Sequence, residues 1–236
     1  MLALEAVATL TRTQYALVRR QCADLPDLGG CLLLGRHYAD PRSRIVFLGI
    51  NPGGVATDLD VDLQPHNWLL EGPNEIGHAY WRNSRRFFSS TVTLKTAFRY
   101  ATFAFCCPFR TKTWSGLPPA HRAVLEEASR PILMQILNDC RPYFIVVAGV
   151  AGERALAGIL GDALTITGSR LEGGDADGTY QWSYTDATIS NQPTRIVQVP
   201  HFSRANSIRR LEECAAWLST LINQAGTTPL GLRLVK

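Results

Sequence analysis

Two short segments of the chain combine glycine with polar side chains whose types could do chemistry. The first is the run GINPGG over residues 49–54, directly after an apolar stretch. Asn51 offers an amide donor and a carbonyl acceptor at a fixed place, while the glycines let the backbone turn tightly and approach a ligand closely. A turn that merely ends a strand is the alternative, because Asn-Pro and Pro-Gly are common turn dipeptides.

The second segment is the run VPHFSRANS over residues 199–207. His201 follows another apolar stretch, and an imidazole there can donate a hydrogen bond to an anion that develops during a reaction. Ser203, Asn206 and Ser207 stand at the start of a predicted helix, where free backbone N–H groups suit a phosphate. A loop histidine beside a serine N-cap is the alternative interpretation.

Both segments stand at the ends of predicted strands. Short apolar runs predict strands over 44–50, 100–107, 143–148 and 195–199; helical spacing predicts helices over 3–21, 81–97, 120–139, 152–160 and 203–223. Near-continuous apolar strands that alternate with helices are typical of a parallel sheet covered on both faces. We therefore expect one α/β domain over residues 1–236, a three-layer αβα sandwich with a central, mainly parallel four-stranded sheet. Ligands of such sheets bind beyond the carboxyl ends of the strands.

The remaining segments and the composition indicate which partners and which kinds of site the protein could have. Residues 54–80 predict a long loop, and residues 162–189 a small hairpin with an acidic turn. The balance of 24 basic and 20 acidic residues gives a net charge of +4, which permits a nucleic-acid partner without requiring one. No apolar run reaches the ~18 residues of a membrane span. The six cysteines lack a C-x-x-C pair and predict buried free thiols. We expect a cytoplasmic monomer without a membrane contact or metal site.

Together the two segments resemble the motifs of the uracil-DNA glycosylase superfamily. Its first motif, G-x-(D/N)-P-G/Y, stands here as GINPG over 49–53, closest to the mismatch-specific and single-strand-selective branches. Its second motif, H-P-S-P-x-N/S, stands here as HFSRAN over 201–206, with both prolines replaced. The order of the motifs and their strand ends match as well. Outside the motifs the similarity is loose, mainly the run WRNSRRFF over 81–88 and the strand-glycine-helix pattern over 144–157.

The resemblance implies a monofunctional DNA glycosylase, which hydrolyses the N-glycosidic bond of a flipped-out pyrimidine and leaves an abasic site. Asn51 would position the attacking water, and His201 would stabilise the departing base. Phe202 and Arg204 would lie on the loop that enters the minor groove, with an aromatic wedge and a cation. The implied contacts to single-stranded or duplex DNA are Phe202, Ser203, Arg204, Asn206, Ser207, Arg209 and Arg110. The cysteine spacing differs from that of the iron–sulfur branches, so no cofactor is expected.

The implied base pocket departs from the family pattern. It comprises Gly49, Ile50, Pro52, Gly53, Gly54, Trp68 and Phe105. Phe105 takes the place of the asparagine that reads the base edge, and Gly53 takes the place of a tyrosine that blocks 5-methyl groups. These departures favour a 5-substituted base, such as hydroxymethylated or glucosylated cytosine of phage DNA, and hence a phage-defence role. The alternatives are uracil or mismatched thymine in base-excision repair, a non-catalytic DNA-binding module, and a nucleotide-binding α/β domain outside this superfamily.

Overall fold

A computed structural model describes residues 2–25, 27–34, 38–40, 44–52, 58–62, 79–111, 114–174, 180–205 and 207–227. The helices are α1 (Leu2–Gln21), α2 (Ala79–Ser89), α3 (Val92–Ala97), α4 (Pro119–Cys140), α5 (Val150–Leu160) and α6 (Ile208–Thr227). The strands are β1 (Gly29–Leu33), β2 (Ile45–Gly49), β3 (Leu59–Asp62), β4 (Thr102–Phe105), β5 (Phe109–Arg110), β6 (Phe144–Ala148), β7 (Leu164–Ile166), β8 (Leu171–Gly174), β9 (Gln181–Ile189) and β10 (Gln192–Val199).

The main sheet has seven strands in the order β4-β2-β6-β10-β9-β7, with β8 also paired to β9. Its first four strands are parallel, and in their register Phe47 lies beside Phe103 on one side and Val146 on the other. They are the four strands that the apolar runs predict. The expected extent of the sheet was too small, because β9 pairs antiparallel with β10, and β7 and β8 pair antiparallel with β9. The predicted hairpin thus widens the sheet into a mixed one.

Side chains of the parallel strands alternate between two buried clusters. Val46 and Leu48 pack with apolar residues of α1, α4 and α5 on one face. Phe47 and Val146 pack with residues of α2, α3 and α6 on the other face. Each of these four side chains is fully buried, as expected for strands covered by helices on both faces. The structure therefore has the helix–sheet–helix layering of an α/β fold.

A second, three-stranded sheet has the order β3-β1-β5. It contradicts the prediction of a loop throughout residues 54–80, since β3 pairs in parallel with β1. A Cβ on Gly30 would lie 2.6 Å from Cδ1 of Leu59, so glycine allows this close pairing. Two consecutive glycines at the start of β1 give a weak strand signal, which explains why the sequence did not predict it. Residues 53–57 and 63–78 of the predicted loop lie outside the described residues.

Two predicted helices have different bounds in the structure. The predicted helix over 81–97 is divided into α2 and α3, because Thr91 caps the second helix by accepting a hydrogen bond from the backbone N–H of Leu94 at 3.1 Å. The predicted helix over 203–223 begins later, as α6 at Ile208. In contrast, the helix predicted over 120–139 is observed as the single helix α4, which continues through Pro131.

All six cysteines are buried and have free thiols, which confirms the prediction from the sequence. Burial raises the pKa of the Cys107 thiol to about 12 and also raises that of Cys106. In the part of the chain that the structure describes, no helix is both long and apolar enough to cross a membrane.

Candidate functional site

The carboxyl edge of the parallel strands contains a point where the strand order reverses. After β2 the chain moves to β4 on one side, and it then returns to β6 on the other side of β2. A crevice opens at such a switch point, and ligands of doubly wound α/β sheets bind there. Three segments border it: residues 50–52 after β2, Gly149 after β6, and residues 200–205 after β10.

Asn51 is half-buried, and its amide is held by a hydrogen bond. Its Nδ2 donates to Oγ1 of the buried Thr111 at 3.1 Å. The backbone before it is also fixed, because the N–H groups of Cys106 and Cys107 donate to the carbonyls of Gly49 and Ile50 at 2.8 and 2.9 Å. Among the described residues, Oδ1 of Asn51 has no partner. An oriented amide oxygen of this kind can accept a hydrogen bond from a bound water.

His201 is half-buried and follows β10. Its Nδ1 lies 2.7 Å from Oγ of Ser203. Burial, together with the positive charge of Arg204, lowers the pKa of His201 below its ordinary value. The imidazole is therefore neutral at neutral pH. In the tautomer in which Nδ1 accepts from the Ser203 hydroxyl, the ring proton lies on Nε2. A neutral imidazole in this state can donate a hydrogen bond to a developing anion.

Two glycines bring the Asn51 and His201 segments to the same place. Gly149 has φ +79°, and a Cβ there would lie 3.0 Å from Cβ of His201. A Cβ on Gly152 would lie 3.3 Å from Cγ1 of Ile50. Since α5 begins at Val150, its first turn is flanked by both loops. The two sequence motifs, far apart in the chain, thus meet around this turn at the switch point.

An aromatic wall lies beside Gly49. A Cβ on Gly49 would lie 2.9 Å from Cδ1 of Phe105 and 3.7 Å from Oη of Tyr80. The Tyr80 ring in turn lies 5.7 Å from the His201 ring, between centroids. Phe105 was among the predicted pocket residues. Tyr80 was not, because it stands at the end of the predicted loop; its position next to the run over 81–88 was the only available signal.

The expectation of an exposed Phe202 ring is wrong. The side chain is 0% exposed, and its ring stacks on Phe47 at 5.9 Å and contacts Phe87 at 5.3 Å. The turn over 201–204, closed by a hydrogen bond from the N–H of Arg204 to the carbonyl of His201 at 2.9 Å, directs the ring into the core. Ser203 and Arg204 are the exposed side chains of this turn.

Asn83 ties helix α2 to the same turn. Its Nδ2 donates to the carbonyls of Phe202 at 2.7 Å and Ala205 at 2.8 Å. Arg82 and Arg86 of α2 are exposed, and so is Arg204 of the turn that Asn83 holds against α2. We call the set Arg82, Arg86 and Arg204 the basic surface. The sequence did not predict a role for Asn83, although the run over 81–88 that contains it was part of the resemblance.

The other predicted DNA contacts are dispersed. Arg209 is exposed, and its Nε lies 3.4 Å from Oε1 of Glu213. The N–H of Ser207 donates to Oη of Tyr180 at 2.9 Å. Arg110 is half-buried in β5, just before Thr111. Of the predicted pocket, Ile50 is half-buried and Pro52 buried. The predicted site residues outside the described part of the chain are Gly53, Gly54, Trp68 and Asn206.

The described residues contain no group of three or more His, Cys, Asp or Glu side chains that could hold a metal ion. A scan against models of known protein families finds no match to this chain, and a search of curated proteins finds no similar sequence.

Proposed function

We propose that the chain is a DNA glycosylase, which hydrolyses the N-glycosidic bond of a flipped-out pyrimidine nucleotide. One observation supports this most: the loops that contain Asn51 and His201 both flank the first turn of α5, at the switch point of the sheet. A held amide oxygen on one side and a neutral imidazole on the other are the two groups that this reaction requires. The motif resemblance supports the same function.

The reaction develops positive charge on the sugar and negative charge on the base, and Asn51 and His201 act on the sugar and on the base, respectively. As the bond from C1′ to the base nitrogen breaks, its electron pair moves to the base, and positive charge develops on the sugar. Asn51 Oδ1 accepts a hydrogen bond from a water, whose oxygen bonds to C1′ and whose proton then leaves to solvent. His201 Nε2–H donates to the base oxygen that gains negative charge. An amide is not a strong base, so Asn51 orients the water more than it activates it.

The substrate must leave the duplex before these groups reach it. The basic surface of Arg82, Arg86 and Arg204 suits the phosphate backbone, whose contacts fix the register without reading the sequence. The Asn83 clamp holds the turn that contains His201 against the helix that contains two of these arginines. Binding of the backbone at α2 would therefore bring the nucleotide to the crevice.

For the base, we propose a 5-substituted pyrimidine, such as hydroxymethylated or glucosylated cytosine in phage DNA. Phe105 supports this, because its phenyl ring lies against Gly49 and has no group that could read a pyrimidine edge as an asparagine does. Uracil or mismatched thymine is the alternative substrate. A non-catalytic DNA-binding module is the alternative of another class, favoured by the same Phe105.

The test is a base-release assay on DNAs that contain uracil, mismatched thymine, hydroxymethylcytosine or glucosylated hydroxymethylcytosine, with strand cleavage at abasic sites as the readout. We expect release from the DNAs with modified cytosine. Release from uracil or mismatched thymine alone would instead support a repair enzyme. Binding without release from any DNA would contradict the catalytic proposal and support the binding module. His201→Ala should slow release, while the exposed Asn223→Ala serves as a control distant from the site.

A further inference from the structure

The hydroxyl of Tyr80 is a buried polar group without a hydrogen-bond partner in the described part of the chain. Such groups are rare in folded proteins, because a buried donor without a partner loses its hydrogen bonds to water. The ring itself is explained by packing, since it makes edge contacts with Trp81 at 5.1 Å and Phe202 at 5.7 Å. A phenylalanine would make the same contacts, so packing does not explain the oxygen.

Two other tyrosine hydroxyls of this chain show the usual arrangement. Tyr180 Oη accepts a hydrogen bond from the N–H of Ser207 at 2.9 Å, and Tyr38 Oη donates to Oδ2 of Asp139 at 2.5 Å. Tyr80 differs from both in its location. Its oxygen lies at the carboxyl end of β2. A Cβ added to Gly49 would lie 3.7 Å from this oxygen and 2.9 Å from Cδ1 of the Phe105 ring.

The surroundings of the hydroxyl are those of the candidate site. The Tyr80 ring is 5.7 Å from the ring of His201, between centroids, and Gly49 precedes the loop that contains Asn51. Burial, with a smaller contribution from Cys106, raises the pKa of Tyr80 above its ordinary value. The phenol therefore keeps its proton at neutral pH and can both donate and accept a hydrogen bond. An acceptor brought to the end of β2 would satisfy its donor.

We propose that Tyr80 is a specificity-determining residue, whose Oη donates a hydrogen bond to a carbonyl oxygen of the pyrimidine base. This inference rests on the proposed function and adds the polar contact that Phe105 cannot make. The base lies with an apolar ring, Phe105, and a phenolic donor, Tyr80, beside the glycine backbone. Every pyrimidine has a carbonyl at C2, so this donor would select pyrimidines over adenine, which has no carbonyl and would leave the donor unpaired.

The test compares Tyr80→Phe with Tyr184→Phe, which removes a hydroxyl from β9, away from the site. Two readouts need no catalysis: the Tm of each protein, and the rise in Tm produced by millimolar free cytosine, 5-hydroxymethylcytosine, uracil or thymine. Single-turnover base release is the third. We expect Tyr80→Phe to keep or raise the Tm, because it removes an unpaired buried hydroxyl, and to weaken base binding and slow release by about tenfold. Tyr184→Phe should leave binding and release unchanged.

Several results would overturn the assignment. A lower Tm for Tyr80→Phe with unchanged base binding means that the hydroxyl is structural. Equal base affinity and release in wild type and Tyr80→Phe means that it makes no contact with the base. A wild-type protein whose Tm rises with none of the free bases also contradicts it. If the wild type releases no base but binds a free pyrimidine through Tyr80, the proposed glycosylase activity fails while the assignment of this hydroxyl stands.

Discussion

Replacing Gly149 by alanine tests the geometry that joins the two halves of the site. Gly149 lies between β6 and α5, with φ 79° and ψ 157°, a region of backbone conformation that only glycine adopts without strain. Its N–H donates to the carbonyl of Val199 at 2.7 Å, so this conformation is tied to β10. A Cβ would also lie 3.0 Å from Cβ of His201, tighter than ordinary van der Waals contact.

The cost of placing alanine in this backbone conformation can be given a magnitude. A non-glycine residue in this region costs about 1–3 kcal/mol, of which the reduced entropy of the unfolded chain returns about 0.4–1 kcal/mol. The net strain is therefore about 1–2 kcal/mol. The close contact with His201 adds to it, so we expect Gly149→Ala to lower the free energy of unfolding by roughly 2 kcal/mol. The matched control is Gly158→Ala, inside the helix α5 that follows Gly149. Gly158 is exposed, and the nearest atoms to a Cβ there belong to the flexible Glu126 carboxylate, the closest at 3.4 Å. It should stabilise the protein by about 0.5–1 kcal/mol.

Thermal unfolding distinguishes the two variants. For a chain of this size, 1 kcal/mol shifts Tm by about 2–4 °C. Gly149→Ala should therefore lower Tm by roughly 4–8 °C, while Gly158→Ala raises it. Gly149→Ala should also slow base release at a temperature where the protein stays folded, because the new methyl group displaces His201. Equal Tm values for Gly149→Ala and wild type would refute the reasoning on strain, and unaltered release by a destabilised Gly149→Ala would refute the link to His201.

Two further predictions concern the turn after β10. Because burial and Arg204 lower the pKa of His201 in the folded protein, the unfolded chain binds more protons below the ordinary pKa of 6.5. The stability that depends on neutral His201 should be present in full above pH 6.5 and should be lost as the pH falls from 6.5 towards the lowered pKa of the folded protein. His201→Gln should flatten this part of the pH profile of stability, measured by urea unfolding. Asn83→Ala removes the donor to two backbone carbonyls and should cost about 1–3 kcal/mol and weaken DNA binding. Asn223→Ala, an exposed control, should do neither, and equal DNA affinity of Asn83→Ala and wild type would contradict the clamp.

The parallel part of the fold could be predicted from the sequence because its signals are local. Runs such as Phe144–Ala148 are buried on both faces and therefore apolar throughout, and helices separate them. The rest depends on pairing that no local pattern reveals. β9 alternates buried and half-buried residues, which suits a free hairpin as well as a sheet edge. β1 and β3 are short, and each is stabilised as a strand by its partner.

The residues of the candidate site also fall into those with a local sequence signal and those whose position depends on distant contacts. Asn51 and His201 could be predicted as candidate site residues because strand ends and glycines mark their positions in the sequence. Phe202 was misjudged, because a residue type does not show whether a turn directs its ring inward or outward, and here the cluster with Phe47 and Phe87 takes it. Tyr80 and Asn83 contribute through contacts with residues more than a hundred positions away, such as the 119 positions between Asn83 and Phe202. Only the fold reveals contacts of this kind.

The most direct test of the central claim is single-turnover base release by wild type and Asn51→Ala on DNA that contains hydroxymethylated or glucosylated cytosine, with DNA affinity measured in parallel. We predict that the wild type leaves abasic sites. Asn51→Ala should bind the DNA with nearly the same affinity but release the base at least about a hundredfold more slowly, because the water loses its acceptor. An Asn51→Ala protein that releases the base as fast as the wild type would contradict the account.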